Sequence, residues 1–201
     1  VAFLLVCPAR TGWRDLAAAF RARVSRSLVL ILACAGFLSG CSSIASSAAD
    51  DFAGNLSTAI LNQDDPELVR EGLPAYLLLL DSLAVSPEAG PAVLGAAARL
   101  YAAYAVVFVE DPHRAATLAS RARDYGVRAT CLASQVTCDL ETVSFADLGA
   151  RLEQVRPAQS GALFSFAVGS LAYLRTHSDD WQALAGLPRI EAVLARLLVI
   201  G

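Results

Sequence analysis

Chemistry in this 201-residue chain would have to come from two histidines, five cysteines and a set of adjacent acidic pairs. His113 and His177 follow a helix-start and a helix-end signal, and neither has Cys, Asp or Glu at the spacing of a metal site. They read as surface or capping residues. The acidic pairs at 50–51, 64–65, 110–111 and 179–180 precede helical stretches, where carboxylates interact favourably with the positive end of the helix. That placement accounts for them without a catalytic carboxylate pair. No HExxH, GxSxG, glycine-rich phosphate loop or CxxC pair occurs. The expectation is a protein that is not an enzyme and holds no cofactor or metal.

One cysteine stands in a more telling context. Arg21, Arg23 and Arg26 precede the apolar run "LVLILACAGFL", residues 28–38, and Ser39, Gly40 and Cys41 follow it. A helix of that length spans about 16 Å, little more than half of a bilayer core. A basic start, a short apolar middle and small residues at the end describe a secretory leader rather than a spanning helix. Leu38-Ser39-Gly40-Cys41 resembles the lipobox of bacterial lipoproteins, in which the chain is cut before the Cys and the thiol is diacylated. The resemblance implies a signal peptide over 1–40, with Val24 as an alternative start, and a lipidated Cys41. Residues 41–50, "CSSIASSAAD", then form the lipid-bearing Cys and a Ser/Ala tether. Ser42 in place of Asp implies the outer membrane, facing the periplasm, rather than the inner membrane. An uncleaved helix carrying a buried Cys41 is the competing reading.

Export would put Cys131 and Cys138 in an oxidising compartment. They bracket "LASQVT", which reads as a turn between helices. A disulfide closing that turn and two separate packed thiols both remain open.

The elements that must position these residues are helical. All sixteen basic residues are Arg, and hydrophobic residues make up 56 % of the chain, with Ala and Leu prominent. Without residues 1–40 the chain has eleven Arg against eighteen acids, which argues against a nucleic-acid partner. From residue 51 onward helix follows helix, about seven in all, with no alternating strand pattern. A first helix is expected over about 51–62. Asp64 or Asp65 with Pro66 opens a second, with Leu68, Leu73, Tyr76, Leu77 and Leu80 on its apolar side and a kink or shifted start at Pro74. Ser86-Pro87 is expected to open the third and Asp111-Pro112 the fourth, whose Arg114, Arg121, Arg123 and Arg128 supply a wet face. Ser144 caps a shorter helix. "SGALFSFAVGSLAYLRTHS" is apolar nearly all round and so should be central. Asp179-Asp180 opens the last helix, with Ile190, Val193, Leu194, Leu197 and Leu198 inward. Antiparallel pairs at this period make an all-α helical-repeat domain over 51–201, with a plain bundle as the alternative.

"LYAAYA…ED", "RARDYGVRA" and "LPRIEAVLARLL", within a stretch from about Asn62 to the end, are similar to the TatT family, the tetratricopeptide-like lipoproteins associated with TRAP transporters. The resemblance implies a cryptic tetratricopeptide-like superhelix, a periplasmic solute-binding subunit as partner, a small organic ligand with an apolar one among the options, and a homo-oligomer such as a trimer. Two features depart from the pattern. Leu163, Phe164, Phe166 and Leu171 stand where a Trp-rich helix is expected. The chain also stops at "LLVIG" where further helix pairs would follow, so a C-terminal truncation is expected.

Tyr101, Tyr104 and Phe108 share one helix face at i, i+3 and i+7. Core packing explains such a stripe, but the inner face of a helical repeat can line a groove. With Phe164, Phe166 and Tyr173 they form the candidate ligand groove. Two functions follow: an accessory subunit of a TRAP-type uptake system, or an envelope scaffold using the same repeats for protein contacts.

Overall fold

The computed structural model describes residues 47–201, which form helices and turns with no strand among them. The leader, Cys41 and the first part of the tether lie outside the described residues. The end of the expected tether is helical, because residues 47–61 form α1. Ala48 and Ala49 favour helix, and Asp50 is held in place by accepting a hydrogen bond from the Val93 backbone N–H at 2.9 Å.

The remaining helices are α2 (Pro66–Ala84), α3 (Pro91–Val107), α4 (Pro112–Ala133), α5 (Phe145–Glu153), α6 (Ser160–Thr176), the one-turn α7 (Trp181–Leu184) and α8 (Leu187–Ile200). Proline in the first turn opens α2, α3, α4 and α8, where its missing N–H costs nothing. Asp65, Asp111, Ser144 and Asp180 accept backbone N–H groups at the starts of α2, α4, α5 and α7. Pro74 neither stops nor shifts α2, since Leu73, Leu77, Leu80 and Ala84 bury on the core along its length. Ser86-Pro87 does not open α3. Ser86 and Glu88 close a turn on each other, and α3 starts four residues later at Gly90-Pro91. Gly90 offers no side-chain cap, so Asp50 of α1 supplies one from outside. The last expected helix divides at Gly186-Leu187-Pro188, which separates α7 from α8.

Packing repeats the pairing. Arg99 in α3 donates Nε to Ser57 of α1 at 3.3 Å and a terminal nitrogen to Ser165 of α6 at 2.7 Å, so α1, α3 and α6 lie side by side. The nearly constant offset of the contacts Asp50–Val93 and Ser57–Arg99 makes α1 and α3 parallel. Helix α4 packs on both α3 and α6, and α8 on α6. The α4–α6 crossing is close enough to require glycine. A Cβ on Gly126 would meet the backbone of Phe166, and one on Gly169 the carbonyl of Ala122. Helix α6 is thus central, as its all-round apolar surface requires.

The arginines of α4 lie on its wet side as expected, with Arg114, Arg121 and Arg128 exposed, and three of the four also reach partners elsewhere. Arg121 pairs with Asp81 at 2.8 Å, Arg123 with Glu141 at 2.6 Å, and Arg128 donates to the Ala84 carbonyl at the end of α2. Asp81 also accepts from the hydroxyls of Tyr101 (2.8 Å) and Tyr125 (2.7 Å). One carboxylate thereby joins α2, α3 and α4. Arg189 holds the carbonyls of Leu140 and Val143, and Arg196 those of Glu153 and Val155. These two contacts tie α8 to the segments around α5. Cys131 and Cys138 are joined by a disulfide across the turn that ends α4.

Three residues expected inside lie outside. Leu68 and Tyr76 border an open notch between α1 and α2, and Leu198 on α8 is 89 % exposed, because only Ile190 and Val193 of that helix reach the core fully.

Candidate functional site

An apolar groove runs between α3 and α6. Helix α3 contributes Arg99, Ala102, Ala103, Val106 and Val107, the i, i+3, i+4, i+7, i+8 pattern of a single helix face. Helix α6 contributes Phe164, Val168, Leu171, Ala172 and Arg175, and Leu61 closes one side from the end of α1. The volume is about 370 Å³. Alanine at 102, 103 and 172 leaves the space that larger side chains would fill. Phe164 and Leu171 are large apolar residues with 46 % and 38 % of their surface exposed, although both sit on the central helix. Helix α4 runs antiparallel both to α3, with Tyr101 at Tyr125 and Tyr104 at Arg114, and to α6, so α3 and α6 are parallel; with Arg99 at Ser165, Arg99 and Arg175 stand at opposite ends of the groove.

The two arginines differ. Arg175 is exposed, whereas Arg99 is half-buried and burial lowers its guanidinium from the ordinary value. Its partners are the hydroxyls of Ser57 and Ser165, themselves buried. Among the described residues no carboxylate lies within ion-pair distance of Arg99, and its second terminal nitrogen makes no hydrogen bond.

A second cavity, of about 420 Å³, lies between α6 and the α7–α8 segment and is polar. Its charged groups already have partners within the fold. Arg123 and Glu141 make a two-point ion pair at 2.6 and 3.0 Å, Arg189 is committed to two carbonyls, and Asp180 caps α7. Among the described residues, the Ser170 hydroxyl in its wall is buried without a partner.

The six aromatics proposed from the sequence do not share one groove. Tyr101 and Tyr104 are buried in the core, Tyr101 with its hydroxyl on Asp81. Phe108 packs against that core beneath Arg70. Phe166 is buried at the α4–α6 crossing and touches the polar cavity, as does Tyr173, which stacks on His177 with ring centroids 3.9 Å apart. Of the six, Phe164 lines the apolar groove. The i, i+3, i+7 stripe on α3 points to α4 and α2, while the face bearing Arg99, Val106 and Val107 points to the groove. What the aromatic count missed is a pattern of small residues ended by arginine, visible at 99–107 and 164–175. Among the described residues there is no cluster that could hold a metal ion, and no helix is long and apolar enough to cross a membrane.

An all-α stack of helix pairs with a solvent-facing apolar groove is a binding or assembly architecture. The chain belongs to the TRAP transporter T-component family, whose model matches residues 62–200. Comparison with curated proteins and with solved structures gives no match. The match covers α2 to α8, including both walls contributed by α3 and α6, and leaves α1 outside.

Proposed function

We propose that this protein is a lipid-anchored, periplasm-facing accessory subunit of a TRAP-type uptake system that takes a small organic ligand into the α3–α6 groove and works with the solute-binding subunit. Family membership supports the association with a TRAP transporter. The observation that carries ligand binding is the groove itself, an apolar trough on the face where the first helices of three pairs lie together. A scaffold with no ligand would gain by filling that trough, and Ala102, Ala103 and Ala172 leave it open instead. The Arg-rich, short apolar leader ending at Cys41 supports the anchor, and the Cys131–Cys138 disulfide is in keeping with an oxidising compartment.

The test is a pull-down of the full-length product from detergent-solubilised envelope, followed by identification of what comes with it. Recovery of a solute-binding subunit supports the reading. Recovery of envelope assembly proteins without one would replace it by the scaffold. Replacing Cys41 with Ser should release the chain from the membrane fraction, and retention there would remove the anchor.

A further inference from the structure

The two ends of the helix stack differ in charge. One end collects the start of α1, the end of α2, the start of α3, the end of α4 and the start of α6. Asp50 accepts from the Val93 N–H there, Arg128 donates to the Ala84 carbonyl, and the Gln159 amide donates to the Ala133 carbonyl at 3.4 Å. The segments that cross this end, 85–90, 134–137 and 154–159, contain one acid and one arginine, Glu88 and Arg156. Asp50 and Asp51 of α1 add to them, Asp50 being committed to Val93. The opposite end is crossed by 62–65, 108–111 and 177–180. Those segments carry Asp64, Asp65, Glu110, Asp111, Asp179 and Asp180, and no arginine. Large apolar side chains are exposed at both ends, so exposure alone selects neither. At the sparsely charged end they are Phe52, Val85 and Leu132, and the outer face of α2 running into it (Ala75, Leu78, Ser82, Val85) has no charge.

Chain length then decides which end can meet a membrane. Five residues, 42–46, lie between Cys41 and the start of α1. Six Cα steps bound the distance from Cys41 to Ser47 at about 20 Å. Helix α3, with 17 residues, is about 25 Å long. With the acidic end on a bilayer, the start of α1 would stand further from the surface than that length of chain reaches. We propose that the sparsely charged end docks on a lipid bilayer surface, with Phe52, Val85 and Leu132 among the headgroups and the six acids held away from it. This rests on the lipid anchor at Cys41 and turns a tether into an oriented contact. Apolar side chains gain by leaving water at the interface, whereas carboxylates are repelled by anionic lipid. The Cys131–Cys138 disulfide fixes the loop beside Leu132.

Fluorescence on vesicles tests this. The product isolated from membranes is reconstituted with phosphatidylethanolamine and phosphatidylglycerol containing an acyl-brominated phosphatidylcholine, with Trp13→Phe throughout. One form keeps Trp181 as a reporter at the acidic end, and the other carries Val85→Trp with Trp181→Phe. Val85→Trp should lose most of its emission to the bromines and shift to the blue, Trp181 should do neither, and about 1 M salt should change nothing. Leu132→Trp serves as the reporter if Val85→Trp fails to fold. Equal quenching of both reporters, or of neither, in a chain that floats with the vesicles would overturn the docked end and leave the anchor standing. A blue shift without quenching would put a protein contact there and overturn it too, as would quenching that about 1 M salt removes. Quenching at position 85 in a chain whose mass shows no acyl groups would uphold the docking and remove the anchor. A chain that does not float with the vesicles would overturn both.

Discussion

Two arginine-bearing regions of α3 and α4 solve opposite problems. At Asp81 a single carboxylate receives two tyrosine hydroxyls and Arg121, so every group in that partly buried cluster has a partner. At Arg99 a cation more buried than Arg121 has neutral partners and faces an open trough. The first arrangement is closed and binds three helices together. The second is incomplete within the described residues, and incompleteness is the physical mark of a binding site, because a group satisfied inside the fold has nothing left to offer a ligand.

The comparison predicts that substitutions at the closed cluster cost stability, whereas those in the groove cost little. Asp81→Ala should give the largest effect, about 3–4 kcal/mol in denaturant unfolding, since it strands two buried hydroxyls and a guanidinium. A loss of under about 1 kcal/mol would mean that the cluster is not what joins α2, α3 and α4. Gly169→Ala should follow at about 2–3 kcal/mol, because the added methyl meets the Ala122 backbone rather than a side chain that could turn away. Unchanged stability there would show that the α4–α6 crossing can relax. Cys131→Ala with Cys138→Ala should lower stability by about 2 kcal/mol in the loop-entropy account of so short a loop. A thiol titration that finds two free groups in the wild-type chain would remove the bridge.

Alkaline pH sharpens the contrast further. Burial, and then hydrogen bonding to Asp81, hold the hydroxyl protons of Tyr101 and Tyr125 above the ordinary tyrosine range. Unfolding returns both groups to a pKa of about 10. Above that pH the folded chain binds more protons than the unfolded one, so stability falls as pH rises. The contribution is complete below about pH 10 and is lost on the way to the raised values. Tyr125→Phe should lower the melting temperature modestly at neutral pH and flatten its fall in alkali. A parallel fall in wild type and variant would exclude Tyr125 as its source. The smallest effect belongs to the groove: Leu171→Ala should change stability by no more than about 0.5–1 kcal/mol, consistent with its exposure. A larger loss would mark the groove as core.

The sequence motifs that carry the family resemblance fall mainly on the closed side of this contrast. Tyr101 belongs to "LYAAYA", and Arg121, Tyr125 and Arg128 span the stretch "RARDYGVR". Arg189 and Arg196 belong to "LPRIEAVLARLL". Each of these side chains completes a partner far along the chain, at Asp81, Ala84, Leu140 or Val155. They define how helices join. The groove was less legible because aromatic residues drew the expectation to Tyr101 and Tyr104, whose size suits a core as well as a site. Burial depends on which neighbour a helix face meets, and spacing along one helix cannot supply that.

By itself the sequence determined the helices and most of their starts. Local chemistry suffices there: Asp65, Asp111, Ser144 and Asp180 accept nearby N–H groups, and proline is preset for the first turn. It also determined that α6 is central, since a helix apolar on all sides has no face to leave in water. Tertiary structure decided what no local rule contains. It placed Asp50 at the start of α3, gave Arg121, Arg123 and Arg128 on the wet side of α4 their partners, and gave Arg99 serines instead of a carboxylate. Each is a meeting of residues more than ten positions apart, where the partner is chosen by packing and not by the neighbouring chain.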